Sequence, residues 1–223
     1  MAWYDVDFSK EENLAQGEII FNCSVLEPTA TADEYEEEST ELTAEIIQDN
    51  FIILSQSCDL EQANIETVVL APIYSVGRFV AGTPHLRQKA HQCAANKHVE
   101  IPDREEDPES EAIFLQLAQE CGSIRKEIDK IRRGDKPAYH LLDQEPEAGL
   151  AFSLVDFHRI YSAPKTYLLE LARNQIPRIR LCPPYREHLS QAFARYFMRV
   201  GLPADIREFA DSMWRPNDGP RRR

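Results

Sequence analysis

The sequence predicts an α+β fold built on a small, strongly curved β-barrel with helical additions. Three observations support this prediction: short β-rich segments follow one another at close spacing, a long polar and helical stretch interrupts them, and an amphipathic helix comes after them. The 223 residues, 43% of them hydrophobic, suit one domain over residues 1–223. We therefore expect a barrel core from residues 17–75 and 138–182, a helical insertion over residues 78–136 and C-terminal helices over residues 186–214.

The barrel strands are predicted where β-branched and aromatic residues concentrate between turn formers. The predicted strands are residues 17–26, 42–55, 67–75, 138–142 and 151–160. Pro28 is expected to end the first strand, and Pro72 requires an edge or a bulge in the third, because proline cannot donate to a ladder. Tyr161–Pro164 is expected to turn the chain, with a short β-like piece following at residues 176–181.

The insertion contains six apolar side chains spaced three and four residues apart, which is a heptad seam. They are Phe114, Leu117, Cys121, Ile124, Ile128 and Ile131. This spacing predicts one helix of about twenty residues, although Gly122 inside it costs about 1 kcal/mol relative to alanine. The seam has two interpretations. It docks on the chain's own core, or it forms a partner or self-association surface in which Phe114, Leu117, Ile124, Ile128 and Ile131 are the binding residues.

The C-terminal region contains the clearest amphipathic pattern of the chain. The apolar face consists of Leu189, Phe193, Tyr196, Phe197 and Val200. We expect a helix over residues 186–200 that covers an open end of the barrel, capped by Gly201 and followed by Pro203. A second short helix is predicted over residues 205–214.

The formal net charge of −13 is unevenly distributed along the chain. Residues 1–156 carry 12 basic and 32 acidic side chains, whereas residues 157–223 carry 13 basic and 6 acidic ones. Residues 29–49 alone contain eight carboxylates and no base, which predicts a solvated loop. Since such a field repels nucleic acid, an RNA contact would have to use the C-terminal arginines. These are Arg180, Arg186, Arg195 and Arg199, and pairing with the acidic half is their other interpretation.

The cysteine and hydropathy patterns predict a cytoplasmic protein without cofactors. No apolar run is long enough to span a membrane, so no membrane partner is expected, and no secretory signal is visible at the N-terminus. The five cysteines are scattered without a C-x-x-C pair, which argues against a disulfide framework and a zinc finger. A site formed by Cys93 with His85, His91 and His98 lacks the usual zinc spacing, so no metal is predicted.

Cys58 and Asp59 follow the end of a predicted strand, where exposed catalytic groups often lie. A nucleophilic cysteine needs a neighbouring cation or imidazole to lower its pKa, and Asp59 acts in the opposite direction. The pair is therefore interpreted as a structural turn, with a ligand-binding role and a catalytic role as alternatives. Replacing Cys58 with serine separates these readings, because only a catalytic role predicts lost activity.

Four segments in order resemble the PemK/MazF-like toxin superfamily of toxin–antitoxin modules. They are residues 17–21 (GEIIF), 51–55 (FIILS), 69–75 (VLAPIYS) and 154–160 (LVDFHRI). The resemblance covers about 90 of the 223 residues, interrupted by the acidic loop and the insertion. It implies an SH3-like barrel and an endoribonuclease acting on single-stranded RNA, with Ser75 at the position of a catalytic serine or threonine. The catalytic arginine of that family would fall at residues 48–50, which contain no base.

Because this basic position is missing and the first 156 residues are strongly acidic, we expect a non-catalytic role. The predicted function is that of an accessory or regulatory protein of a prokaryotic toxin–antitoxin or related antiviral defence system, acting by binding a protein partner. The alternative is an endoribonuclease that uses Ser75 and the C-terminal arginines. An enzyme based on Cys58 is a third, more distant hypothesis.

Overall fold

A computed structural model describes residues 2–6, 13–29, 43–62, 65–102 and 108–198. In these ranges the chain forms one eight-stranded antiparallel sheet and seven α-helices, so the predicted α+β class is confirmed. The strands are β1 Tyr4–Asp5, β2 Glu18–Thr29, β3 Thr43–Ile53, β4 Thr67–Ser75, β5 Tyr139–Leu142, β6 Ser153–Asp156, β7 Tyr161–Pro164 and β8 Ile179–Leu181. The helices are α1 Ser57–Leu60, α2 Val76–Gly82, α3 Pro84–Lys97, α4 Pro108–Glu120, α5 Gly122–Arg132, α6 Lys165–Asn174 and α7 Tyr185–Phe197.

The sheet is open rather than closed into a barrel. Its strand order is β1-β8-β2-β3-β4-β6-β5, with β7 also beside β4, and within the described ranges no ladder joins β1 to β5. A side chain nevertheless connects these two edges. The hydroxyl of Tyr4 in β1 donates to the carbonyl of Asp143, directly after β5, at 2.6 Å. A hydrogen bond outside the ladder thus connects β1, at one edge of the sheet, with the residue that follows β5, at the other edge.

Two strand predictions were wrong at prolines. β2 does not stop at Pro28, which pairs with Ala44 in the ladder and lets the strand continue to Thr29. The segment Tyr161–Pro164 is not a turn but strand β7, paired with the first half of β4. Pro72 lies between the part of β4 that pairs with β7 and the part that pairs with β6. Its missing N–H therefore interrupts neither ladder on that side.

Both faces of the central strands are buried, which explains the uninterrupted apolar run in β3. Ile52 packs with α7 and β8 on one face, whereas Phe51 and Ile53 pack with α6 on the other. The same alternation separates Ile19 from Ile20 in β2. A third apolar cluster lies among helices α2 to α5 and contacts the sheet through Leu154.

The heptad seam does not form one helix. Helix α4 ends at Glu120, Cys121 is extended with φ −91° and ψ 106°, and α5 begins at Gly122. Glycine has a low helix propensity, so a break between two helices is favoured next to Gly122. The binding residues proposed from the seam are mostly buried: Phe114, Leu117, Ile124 and Ile131 are at most 3% exposed. Of the two interpretations, docking on the chain's own core is the one that the structure supports.

The cysteine pattern argued against a disulfide framework, and the structure contains one disulfide among the described residues. Cys93 of α3 and Cys121 form a disulfide with a Cα–Cα distance of 6.4 Å. The pair is 28 residues apart in sequence, and only the packing of α3 against the junction of α4 and α5 brings the thiols together. Cys23, Cys58 and Cys182 carry free thiols.

Candidate functional site

A cavity of about 670 Å³ lies between the end of α5, strand β5 and helix α7. Its most polar and aromatic lining residues are Trp3, Arg133, Tyr139, His140, Tyr185, His188 and Arg195. We call this cavity the His140 groove. It combines aromatic rings, imidazoles and guanidinium groups that come from distant parts of the sequence.

One wall of the His140 groove is a pair of stacked aromatic rings. The rings of Trp3 and Tyr185 lie 3.9 Å apart between centroids and are inclined by only 11°. Trp3 is fixed because its carbonyl accepts a 2.8 Å hydrogen bond from the backbone N–H of Cys182, beside the pairing of β1 with β8. Tyr185 begins α7. The N-terminal segment is therefore held against α7 and presents a flat apolar surface to the cavity.

His140 provides a polar group with no partner of its own. The side chain as a whole is only partly buried, but its Nε2 is sealed from solvent and has no hydrogen-bond partner within the described ranges. Burial, with a smaller effect of the nearby His188, lowers the pKa of His140 to about 4. At neutral pH the imidazole is therefore uncharged, and one of its ring nitrogens is a donor and the other an acceptor.

The positive charge of the groove comes from both neighbouring helices. Arg133 follows α5, and its Nε lies 3.3 Å from Oδ2 of Asp135. Arg195 of α7 has no carboxylate within 4.0 Å in the described part of the chain. The Nη1 atom of Arg195 would lie 3.4 Å from a Cβ placed on Gly134, a residue with φ +77° that turns the chain out of α5. The guanidinium of Arg195 thus lies against a turn that favours glycine. Because no carboxylate of the described residues pairs with it, its charge is available to an anion.

Together these groups have the chemistry of a recognition site for an anionic ligand with a flat ring. The stacked rings offer apolar surface, Arg195 offers an uncompensated charge, and His140 offers one hydrogen bond. One carboxylate, Asp143, also lines the cavity. Its carbonyl is engaged by Tyr4, and its Oδ1 accepts from the N–H of Gln144.

Of the binding residues predicted from the sequence, Arg195 and Ile131 line this groove. Arg180 and Arg186 lie elsewhere: Arg180 is 3.8 Å from the buried carboxylate of Glu18, and Arg186 is 2.9 Å from Glu187. Arg199 lies outside the described residues. The four arginines therefore do not act as one patch, and intramolecular pairing, the other interpretation, applies to Arg180 and Arg186.

An arginine, Arg78, follows Ser75 by three positions, although its guanidinium contacts Asp49 and only its backbone contacts the Ser75 hydroxyl. The Ser75 Oγ accepts a 3.0 Å hydrogen bond from the N–H of Arg78 and caps the start of α2. The guanidinium of Arg78 donates to Asp49 at 2.8 Å and lies 4.9 Å from the ring centre of Tyr74. The contact joins residues 29 positions apart, so nothing in the local sequence indicated it. The positive charge of Arg78 is compensated by Asp49, whose side chain is 6% exposed.

Cys58 and Asp59 lie on the single-turn helix α1, outside the His140 groove. The Cys58 thiol is exposed, and its polar neighbours are Oε1 of Gln56 at 3.6 Å and Oδ1 of Asp59 at 3.8 Å. Both neighbours are acceptors, which do not stabilise a thiolate. This environment supports the interpretation of the segment as a structural turn.

Ile128 is the seam residue that remains partly exposed to a cavity. It lines a second cavity of about 420 Å³ with Leu115 and Arg125, and this cavity shares Arg132, Leu141 and Phe152 with the His140 groove. The two cavities are therefore neighbours, separated by these three side chains.

The described residues show neither a cluster of metal ligands nor a membrane-spanning helix. Within the described ranges, no three His, Cys, Asp or Glu side chains are grouped closely enough to hold a metal ion. Cys93, which the sequence analysis grouped with His85, His91 and His98, forms the disulfide with Cys121 instead. No helix among the described residues has both the length and the apolar character needed to cross a membrane. Comparison with family models, curated proteins and solved structures gives no match for this chain.

Proposed function

We propose that this protein is a non-catalytic binding protein whose His140 groove takes an anionic molecule with a flat ring, which is the chemistry of a nucleotide. The observation that carries the proposal is the meeting of an uncompensated Arg195 and a stacked aromatic pair in one cavity, with the neutral His140 in its lining. No nearby carboxylate neutralises the Arg195 charge in the described ranges. The net charge of −13 makes such a positive site unusual for this chain.

The size of the groove supports this class of ligand. Small-molecule sites measure about 300–1,000 Å³, and the His140 groove, at about 670 Å³, lies in that range. Stacking of a base on an aromatic side chain contributes about 1–3 kcal/mol. An arginine adds a charge-assisted hydrogen bond to phosphate. Neutral His140 then supplies a donor or acceptor that distinguishes one ring edge from another.

Several expectations from the sequence stay predictions. They are the protein partner, the role in a toxin–antitoxin or antiviral defence system, the cytoplasmic location and the SH3-like character of the curved sheet. The binding role proposed here is compatible with an accessory or regulatory protein, because a nucleotide site commonly serves as a sensor.

The test is a titration followed by the fluorescence of Trp3. Because the sequence has two tryptophans, Trp214→Phe provides a background in which Trp3 alone reports. The probes are AMP, adenosine and inorganic phosphate, which separate the ring from the anion. We expect AMP to bind more tightly than either half, and Arg195→Gln to weaken AMP binding about tenfold or more. Lys126→Gln removes the same charge from an exposed position outside the groove and should leave binding unchanged.

Equal affinities of wild type and Arg195→Gln for AMP would contradict the proposal, as would binding of phosphate as tight as that of AMP. Binding of a single-stranded RNA oligonucleotide but not of AMP would reassign the groove to a polynucleotide. Thermal unfolding of each variant shows that lost binding is not lost folding.

A second candidate, an endoribonuclease centred on Ser75, is favoured by Arg78, whose backbone N–H contacts this hydroxyl and whose guanidinium lies over the ring of the adjacent Tyr74. Such a reaction needs a cation near the scissile phosphate and a group that moves a proton. Incubation of a labelled single-stranded RNA with wild type, Ser75→Ala and Arg78→Gln tests it. Cleavage by wild type that both variants lose would establish this function, whereas we expect no cleavage by any of the three.

A further inference from the structure

The β2–β3 hairpin continues beyond the sheet as a two-stranded ribbon, which we define as residues 24–29 and 43–48. In this ribbon Leu26 lies opposite Ile46, and Pro28 lies opposite Ala44. Strand β3 meets β4 only from Asn50 onward, so the ribbon has left the rest of the sheet. It carries residues that neither the fold nor the His140 groove uses.

The two faces of the ribbon differ in burial. Val25 is 5% exposed and packs with Ile47 against the core under α6. On the opposite face Leu26 is 65% exposed and Ile46 is 73% exposed. Pro28 and Ala44, their neighbours on that face, are exposed as well. Four adjacent apolar residues on one face form a patch of the kind found at interaction sites.

One edge of the ribbon is open. On the β2 side, the N–H of Phe21 donates to Gln175 and the N–H of Ser24 donates to the hydroxyl of Tyr167, so side chains cover the backbone there. On the β3 side, residues 43–49 have no strand neighbour other than β2 within the described ranges. An open strand edge is a template for pairing with another extended chain.

The charge of this region identifies the kind of partner. Glu45 is exposed on the open strand, and the sequence that joins the two strands carries six carboxylates between residues 30 and 42 and no base. A second copy that paired edge to edge would bring these acidic segments together and be repelled. A basic segment would be attracted instead.

We propose that the open edge of the ribbon binds a basic, extended segment of another protein, which adds to β3 as a further strand. The backbone of the segment pairs with residues 43–48, and its alternate apolar side chains pack beside Ile46 and extend the patch that Ile46 forms with Leu26. Its lysines or arginines alternate with them on the face of Glu45. This interaction surface is separate from the His140 groove, so either proposal stands without the other.

Labelled peptides of seven residues test the proposal through fluorescence anisotropy. The probe alternates lysine with valine. One control peptide alternates lysine with serine and keeps the charge, and another alternates glutamate with valine and keeps the apolar side chains. At a physiological ionic strength of about 0.15 M, we expect the lysine–valine peptide to bind about tenfold more tightly than either control.

The decisive variant is Leu26→Thr combined with Ile46→Thr, because threonine keeps the strand preference and the net charge while it removes the apolar patch. We expect it to weaken binding of the lysine–valine peptide about tenfold, which corresponds to about 1.4 kcal/mol. Ile176→Thr, at an unrelated site that is 76% exposed, is the matched control and should bind as wild type does. Thermal unfolding confirms that each variant is folded.

Three results would overturn the proposal. The first is equal binding of the lysine–valine and lysine–serine peptides, which would mean unspecific attraction to an acidic protein. The second is a double variant that binds as tightly as wild type. The third is a dimer in light scattering that the double variant loses, which would assign the ribbon to a second copy of this chain.

Discussion

Glu18 and Arg178 form an ion pair that is closed off from solvent. The Nη2 of Arg178 lies 2.6 Å and its Nε 2.8 Å from the same carboxylate oxygen, and the two side chains are 2% and 1% exposed. The other oxygen of Glu18 accepts from the N–H of Ala15 and lies 3.8 Å from Arg180. Burial raises the pKa of Glu18, and the arginines oppose that effect. The pair fastens the start of β2 to the entry of β8.

Glu18→Gln should lower the free energy of unfolding by about 3 kcal/mol, because it removes the negative charge that faces the buried Arg178 guanidinium at 2.6 Å. Urea unfolding at neutral pH measures the loss. The control is Glu187→Gln, which breaks the more exposed pair with Arg186 and should change stability by less than about 1 kcal/mol. If both substitutions had equally small effects, the buried pair would not be stabilising the fold.

Gly77→Ala should be strongly destabilising. A Cβ on Gly77 in α2 would overlap the backbone carbonyl of Glu111 in α4, so the two helices would have to move apart. We expect a loss of about 2–3 kcal/mol in the free energy of unfolding, measured by urea or thermal unfolding. Gly122→Ala is the matched control, because a Cβ there meets nothing within 4 Å. It should leave stability unchanged or raise it by up to about 1 kcal/mol. A tolerated Gly77→Ala would show that α2 and α4 are not in close contact.

Stability should fall with pH as His140 is forced to take up a proton. Its pKa is about 4 in the folded chain, against about 6.5 in an unfolded one, so the unfolded state binds more protons between these values. The contribution of His140 to the free energy of unfolding is therefore fully present above about pH 6.5, and up to about 3 kcal/mol of it is lost as the pH falls to 4. Urea unfolding from pH 4.5 to 7.5 measures this loss.

The variant that isolates this effect is His140→Gln, which should have a flatter stability profile over the same pH range than wild type. His85→Gln changes an exposed histidine and should keep the wild-type profile. Parallel profiles for wild type and His140→Gln would mean that another group causes the decline.

Tyr4→Phe should separate the two edges of the sheet with little loss of apolar packing. The substitution removes the 2.6 Å hydrogen bond to the carbonyl of Asp143. We expect the free energy of unfolding to drop by about 1–2 kcal/mol. Hydrogen exchange should quicken at the amides of β1 and β5, whereas those of β3 and β4 in the middle of the sheet should exchange as before. Unchanged exchange at β1 and β5 would mean that the hydroxyl does not hold the edges.

The sequence was informative where a local pattern decides the structure. The strand at residues 67–75 and the helix at residues 186–200 have strong periodicity, and β4 and α7 lie there. Tyr161–Pro164 was missed as a strand because serine and proline next to a tyrosine are typical of turns, and only its pairing with β4 makes it extended. The break at Cys121 was missed because the seam of apolar residues runs through it without a change of phase.

The candidate site could be predicted only in part, because it is assembled by tertiary contacts. Trp3 and Tyr185 are more than 180 positions apart in the sequence, and the pairing of β1 with β8 brings them together. His140 has no local feature that distinguishes it from a histidine on an exposed strand. Arg195 was selected because arginines are frequent in its region, and its role in the groove depends on Gly134, which no spacing rule connects to it.

The order β1-β8-β2 has a consequence for synthesis of the chain. Strands β1 and β2 pair with β8, and Glu18 waits for Arg178, 160 residues later. At about 5–20 residues per second, the ribosome needs on the order of ten seconds or more to deliver this partner. During that interval the β2 and β3 segments are present with their apolar residues exposed. We therefore expect the nascent protein to rely on chaperones, and this sheet to finish folding only after β8 has been synthesised.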